Sequence, residues 1–252
     1  MDRPPHPRRS RITKARRTSR RALLTLLFCL LLTSGCAGPQ KLASGEPLGG
    51  GASPPPSGSL SVSFIDVGQG DGVLVQAGGT NHLIDAGQPE EGPNVVDFLR
   101  SRGVRELDGI VSSGPDSDHS GGLADVLEAF PVGTIYLSGD SKPTMTYNAF
   151  LQAADAEVRD EGAKVEQVRA GYLTDWGGVR VDVIGPPTDA EGGLFSDSND
   201  NSVAVLLTYG TARILIAGDA EAKEEEYMAN GPHTGPLTVR KVHEYKHTQT
   251  RV

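Results

Sequence analysis

The sequence predicts one layered domain of mixed α/β (α+β) type over residues 60–252, and three observations lead there. Short apolar runs alternate at period two, helical stretches with one apolar face separate several of them, and others are joined by tight turns. Hairpins mixed with crossover helices fit such a layered domain better than a purely doubly wound sheet. Hydrophobic residues make up 37% of the 252, which excludes both a disordered chain and a polytopic membrane protein. Two cysteines, Cys29 and Cys36, exclude a disulfide framework and any Cys-rich zinc module.

Taken in order, Leu60–Ile65 alternates and predicts a strand, ended by the Gly-rich turn Asp66-Val-Gly-Gln-Gly-Asp71. Residues 72–76 and 82–84 predict two more strands around Gly78-Gly79. Residues 93–102 predict a helix with Val95, Val96 and Leu99 on one face, Pro93 at its start and Gly103 past its end. A strand at 107–111, a helix at 122–130 stopped by Pro131 and a strand at 134–137 follow. Residues 146–161 predict a helix with Leu151, Ala154 and Val158 inward, closed by Gly162. The second half predicts a strand at 179–184, a hairpin of 202–208 and 212–217 around Tyr209-Gly210, an acidic helix at 220–230 and a last strand near 238–242.

Residues 1–59 have a different character. Nine Lys and Arg stand among the first 21 residues with a single acid, Asp2, and eleven mostly apolar residues, Ala22–Leu32, follow. That order fits a secretory signal peptide and is too short to span a bilayer, which needs about 20 apolar residues. Thr33-Ser-Gly-Cys36-Ala resembles a bacterial lipobox, which makes 1–35 a lipoprotein-type signal peptide and Cys36 the lipidated residue. An ordinary signal peptide or an uncleaved anchor is the alternative. Ser19-Arg-Arg-Ala-Leu-Leu24 also resembles a twin-arginine export motif. Residues 36–59 are Gly, Pro, Ser and Ala with few large side chains, a linker reaching on the order of 25 Å as a flexible coil. The expectation is an exported lipoprotein facing outward from the membrane.

The net charge of −8 hides an asymmetry: from Ala22 onward it is −16. An acidic body does not attract nucleic acid by its field, and aromatic residues, at 5%, offer few stacking platforms.

Three carboxylate motifs follow directly on apolar strands: His82-Leu-Ile-Asp85-Ala-Gly87, Ile110-Val-Ser-Ser-Gly-Pro-Asp116-Ser-Asp118-His119, and Ile214-Leu-Ile-Ala-Gly-Asp219. Strand ends in layered α/β folds share one edge, where sites gather. Several acids and a histidine brought together there repel one another unless a cation lies between them, and a divalent metal answers that need. On its own, Asp-x-Asp-His also fits helix capping by Ser117, Asp118 or Ser120. No Ser-His-Asp motif or Walker loop offers a rival chemistry.

The segments Val62–Asp71, Leu83–Gly87 and Gly114–Leu123, with Asn199-Asp-Asn-Ser202 and Leu215–Asp219, together resemble the metallo-β-lactamase fold, in the branch of ComEC-type competence proteins. The resemblance spans residues 60–242. It implies a four-layer αββα sandwich with one or two divalent metals, zinc or manganese, at a strand edge. It also implies Asp116 as a ligand of the first metal, Asp118 and His119 of the second, Asp219 as the bridge and His243 as a further ligand. Asp118 is then also catalytic, and Asp85 orients neighbouring groups rather than binding metal. Hydrolysis of a phosphodiester, with single-stranded DNA as one such substrate, is the chemistry implied; the acidic composition argues against the DNA.

The sequence departs from that family in two places. The family opens its metal loop with His-Pro-Asp-x-Asp-His, and Gly114 stands at the first position. The family's His-His-Gly-Ser after the last strand is replaced by Lys241-Val-His243-Glu-Tyr-Lys-His247, so the C-terminal end of the fold is expected to be missing. The expectation is therefore a hydrolase with a reduced metal site, the alternative a catalytically inactive or truncated surface module. One prediction follows from the N-terminal reading. Mass spectrometry of protein from its host should find a diacylated Cys36 at the mature N-terminus, and Cys36→Ser should release the protein from the membrane, since each buried methylene holds it by about 0.8 kcal/mol. An unmodified Cys36 refutes it.

Overall fold

Two sheets lie face to face, with helices covering both outer surfaces. The computed structural model describes residues 58–188, 193–233 and 235–241; the expected signal peptide, Cys36, the expected linker up to residue 57 and His243 lie outside the described residues. The first sheet has the order β1-β2-β3-β4-β5-β6, formed by Leu60–Phe64, Val73–Ala77, Thr80–Ile84, Leu107–Ser112, Val132–Leu137 and Lys164–Gln167. β1, β2 and β3 are antiparallel neighbours, and β3 to β6 run parallel. The second sheet has the order β11-β10-β9-β8-β7, formed in chain order by Leu173–Trp176 (β7), Val179–Val183 (β8), Val205–Tyr209 (β9), Ala212–Ile216 (β10) and Val239–Lys241 (β11). β7 to β10 are antiparallel; β11 adds in parallel to β10.

Period-two alternation sends the residues of the inner strands to two different cores. Leu74, Leu83, Ile110 and Ile135 face the helices α1 (Gly92–Ser101), α3 (Leu123–Ala129) and α4 (Met145–Asp160). Val73, Val75, Ile84 and Val111 face the second sheet, where Val181, Val205, Leu207 and Ile216 meet them. On the far side, Leu206 and Leu215 pack with Ala220 and Met228, the latter from α5 (Ala222–Asn230). A short helix, α2 (Ser117–Ser120), precedes α3. The result is the αββα sandwich expected.

Several elements depart from the sequence reading. β6 and β7 are strands that the reading left out. The α4 face differs too: Tyr147, Phe150, Ala154 and Glu157 are buried, while Val158 is 38% exposed. Glu157 turns inward because its Oε1 accepts the Val132 backbone N–H at 2.6 Å, closing the start of β5. The hairpin turns Gly78-Gly79 and Gly177-Gly178 all have positive φ, and a Cβ on Gly78 would sit 2.3 Å from the Gly177 carbonyl oxygen. Glycine there lets the two sheets touch backbone to backbone.

Beside that contact His82 stacks on Trp176, ring centroids 4.2 Å apart and nearly parallel. Burial between the sheets pushes the imidazole down to about 3. The unfolded chain takes up this proton near the ordinary value of 6.5 and the native protein refuses it until about 3. The contribution of His82 to stability is thus complete above 6.5 and is lost as the pH falls through that window. Urea unfolding of the wild type and of His82→Phe at pH 7 and pH 4 should show a smaller acid loss in the variant; equal losses would refute this.

Candidate metal centre

The site is built where β3, β4, β5 and β10 end. β3 passes from Ile84 into Asp85, a non-glycine residue with φ of 58°, 0% exposed. β4 passes into Ser113, which donates to Asp85 twice, N–H to Oδ1 at 2.7 Å and Oγ to Oδ2 at 2.6 Å. The chain then turns through Gly114 and Pro115 to Asp116 and α2, which carries Asp118 and His119. His119, 1% exposed, sets Nδ1 2.9 Å from Asp85 Oδ2 and 3.0 Å from Ser113 Oγ. Its Nε2 lies 2.9 Å from Asp219 Oδ1, brought from the end of β10.

The loop carrying Asp118 and His119 is held by backbone bonds from three sides. The Asp71 N–H donates to the Asp118 carbonyl at 3.1 Å, Ala86 N–H to the His119 carbonyl at 2.9 Å, and Gly122 N–H to the Gly87 carbonyl at 3.1 Å. Gly70, at φ of 115°, makes the first possible: a Cβ there would lie 2.0 Å from the Asp118 carbonyl oxygen. The turn Asp66–Asp71 thus supports the site from below. The capping reading of Ser117, Asp118 and Ser120 does not hold, because α3 begins after Gly122 with no side-chain cap.

Asp118, His119 and Asp219 offer ligand atoms within 4.8 Å of one another, one imidazole nitrogen and two carboxylates. Asp71, Asp85 and His119 form a second such group, fully buried. Burial works against a charge on His119, but the carboxylates of Asp85 and Asp219 outweigh it and raise the imidazole to about 11. A proton or a metal ion between Nε2 and Asp219 answers the same electrostatic need. The donor set Asp118, His119 and Asp219 fits a divalent ion, with Asp85 fixing the ring from its other nitrogen.

The expected first-metal position is different. Gly114 contributes no side chain, and both oxygens of Asp116 are taken by the Lys142 ammonium at 2.6 and 2.5 Å. Asp71, 1% exposed, pairs with Lys241, the last residue of β11. Of the residues named in advance, the structure joins Asp118, His119 and Asp219, sets Asp116 with a lysine, and leaves Cys36 and His243 outside the described residues. Ser113, Lys142 and Lys241 escaped the sequence reading; the signal for Ser113 was its place between a strand and the Asp-x-Asp-His run.

Residues 65–249 match the profile of the metallo-beta-lactamase superfamily. The chain belongs to that superfamily. Among curated relatives of this metallo-β-lactamase-fold protein, "Competence protein ComA" of Neisseria gonorrhoeae is 29% identical over 72% of this chain and 23% of its own length. "Recombination protein 2" of Haemophilus influenzae is 26% identical over 67% of this chain and 19% of its own. The chain therefore spans about a fifth of the length of these relatives. Among solved structures, the subclass B3 metallo-β-lactamase MEM-A1 from a soil metagenome aligns over 77% of this chain and 81% of that one, at 15% identity and a TM-score of 0.47. A Cronobacter sakazakii metallo-β-lactamase with a HARLDQ motif aligns over 64% and 60%, at 18% identity and a TM-score of 0.45.

The role of Asp85 can be tested directly. Asp85→Ala leaves the buried Ser113 donors and His119 without their acceptor, so stability in urea unfolding should fall by about 3 kcal/mol. Asp85→Asn keeps the shape but loses the charge, and zinc affinity measured by competition with a chelator should drop about 10- to 100-fold. Unchanged affinity would show that the imidazole needs no partner.

Proposed function

We propose that the protein is a metal-dependent hydrolase acting outside the cytoplasm on phosphodiesters, with a metal site reduced to one ion. The observation that carries this reading is the meeting of Asp118, His119 and Asp219 at one strand edge, with His119 oriented by Asp85. A divalent ion held there supplies Lewis acidity and activates water at neutral pH. The chain's own residues do the rest. Asp85 and Ser113 keep Nε2 of His119 directed at the centre, and Asp118 and Asp219 supply the negative charge that retains a cation. Asp219 is fixed through its backbone N–H, which donates to Ser202 Oγ at 3.1 Å.

The names of the relatives associate them with competence and recombination, which supports a phosphodiester substrate. The strong negative charge from Ala22 onward favours a small phosphodiester over single-stranded DNA. Export and lipid anchoring rest on the sequence of residues 1–36. A second reading, a catalytically inactive surface module, is favoured by one observation: Gly114 offers no ligand atom at the expected first-metal position, and the carboxylate of Asp116 there is already paired with Lys142.

The purified protein with Mn²⁺ or Zn²⁺ should cleave bis-p-nitrophenyl phosphate slowly, and His119→Ala should abolish this without changing the circular dichroism spectrum. Asp219→Asn should weaken metal binding more than Asp116→Asn, because Asp219, unlike Asp116, adjoins His119. An inert wild type across both metals would leave the inactive module standing.

A further inference from the structure

The side of the site formed by Gly114 and Asp116 carries a cation of its own. Lys142 places Nζ between both Asp116 oxygens, at 2.6 and 2.5 Å, in a pair whose side chains are about one-third exposed. Pairs at such exposure are commonly adventitious and contribute little. This one is held at both ends. Asp116 immediately precedes α2, and its carbonyl accepts from Ser120 N–H and Oγ, both at 2.9 Å. Lys142 lies on the short connection from β5 to α4. There the Lys142 carbonyl accepts the Thr144 N–H at 2.8 Å, and Thr144 caps α4 through Tyr147 N–H. Two residues earlier, Asp140 Oδ2 receives Ser198 Oγ at 2.7 Å and Asn201 Nδ2 at 3.1 Å. The connection is thereby tied to the segment that leads into β9.

We propose that Lys142 is the fixed cation of this site: its ammonium holds Asp116 in the place of a first metal ion, so that the centre works with one divalent ion and one ammonium. The proposal rests on the reading of Asp118, His119 and Asp219 as the ion site. A metal ion at Asp116 would have to displace the ammonium and, among the described residues, would then find only Asp116 and a shared Asp219, fewer than the three protein ligands an ion usually keeps. Asp116 uses two of the ammonium's three N–H donors. The third suits an anionic oxygen of the substrate, as lysine clamps on phosphoryl groups do.

Substitution at Gly114 is sterically open, since a Cβ there meets nothing within 4 Å and φ lies outside the left-handed region. Gly114→His therefore adds an imidazole beside Asp116 without displacing the backbone, and on this proposal it is the ammonium that decides whether a second ion enters. The test counts ions per chain in the full-length protein, by elemental analysis after Mn²⁺ or Zn²⁺ loading and by calorimetric titration. Gly114→His and Lys142→Met should each hold the wild-type number, and the double variant should hold one more. A second ion in Gly114→His alone overturns the proposal, because the ammonium then excludes nothing. So does a double variant that gains none while its melting temperature and circular dichroism match the wild type. If the double variant does not fold, Lys142→Gln in the Gly114→His background supplies the same comparison. A wild type that holds no ion defeats the function proposed above instead; the gain between Gly114→His and the double variant is a difference, read whatever the wild-type count.

Discussion

The structure of the site depends on one buried carboxylate. Asp85 has no exposed surface, and a charged group in that position is tolerated only with donors around it. It has three: the backbone and hydroxyl of Ser113 and the imidazole of His119. The Ser113 bonds tie the end of β3 to the end of β4, and the His119 bond ties both to α2. The Ser113 carbonyl also accepts the Val203 N–H at 2.8 Å, which brings the segment leading into β9 to the same point. Asp85 itself sits at φ of 58°, a costly backbone state for a residue with a side chain. Such strain is tolerated where surrounding bonds over-determine the conformation, as they do here.

Around this carboxylate the charges are distributed unevenly. Asp116 is matched by Lys142 and Asp71 by Lys241, while Asp118 and Asp219 face each other across His119. Fixed ammonium groups thus pair with two carboxylates of the cluster, apart from the group Asp118, His119 and Asp219. A proton on His119 offsets part of that group's charge, and a divalent ion offsets more. In a body whose net charge is −16 from Ala22 onward, local lysines also lower the repulsion that an anionic substrate would meet.

The sheet cores and the strand-end carboxylates were legible in the sequence because both are local signals. Alternation in Val73–Ala77 or Ala212–Ile216 reports two buried faces whatever the rest of the chain does. β6 and β7 were not legible: Lys-Val-Glu-Gln and Leu-Thr-Asp-Trp are four-residue edge strands whose partners, not their composition, make them strands. The inward turn of Glu157 was hidden for a related reason, since its acceptor role depends on a backbone N–H 25 residues away. The cationic partners were the least visible. Lys142 is 26 residues from Asp116 and Lys241 is 170 from Asp71, and nothing in either sequence neighbourhood marks the pairing.

One turn joins the two sides of the centre. Ser202 Oγ receives the Asp219 N–H, and Asn201 Nδ2 reaches Asp140 on the connection that carries Lys142. Beneath them Glu224, 0% exposed, accepts the Ser202 N–H at 3.0 Å, and burial pushes its carboxyl up to about 10. A neutral carboxyl can lie there without a counter-ion, which a charged one could not. Asp200 completes the support by accepting the N–H groups of Lys223 and Glu224 at the start of α5. The residue that adjoins His119 and the loop that supplies the ammonium are thus anchored to the same four residues, Asn199–Ser202. The spacing between the two cation positions is accordingly a property of the fold, set before any ion or substrate arrives.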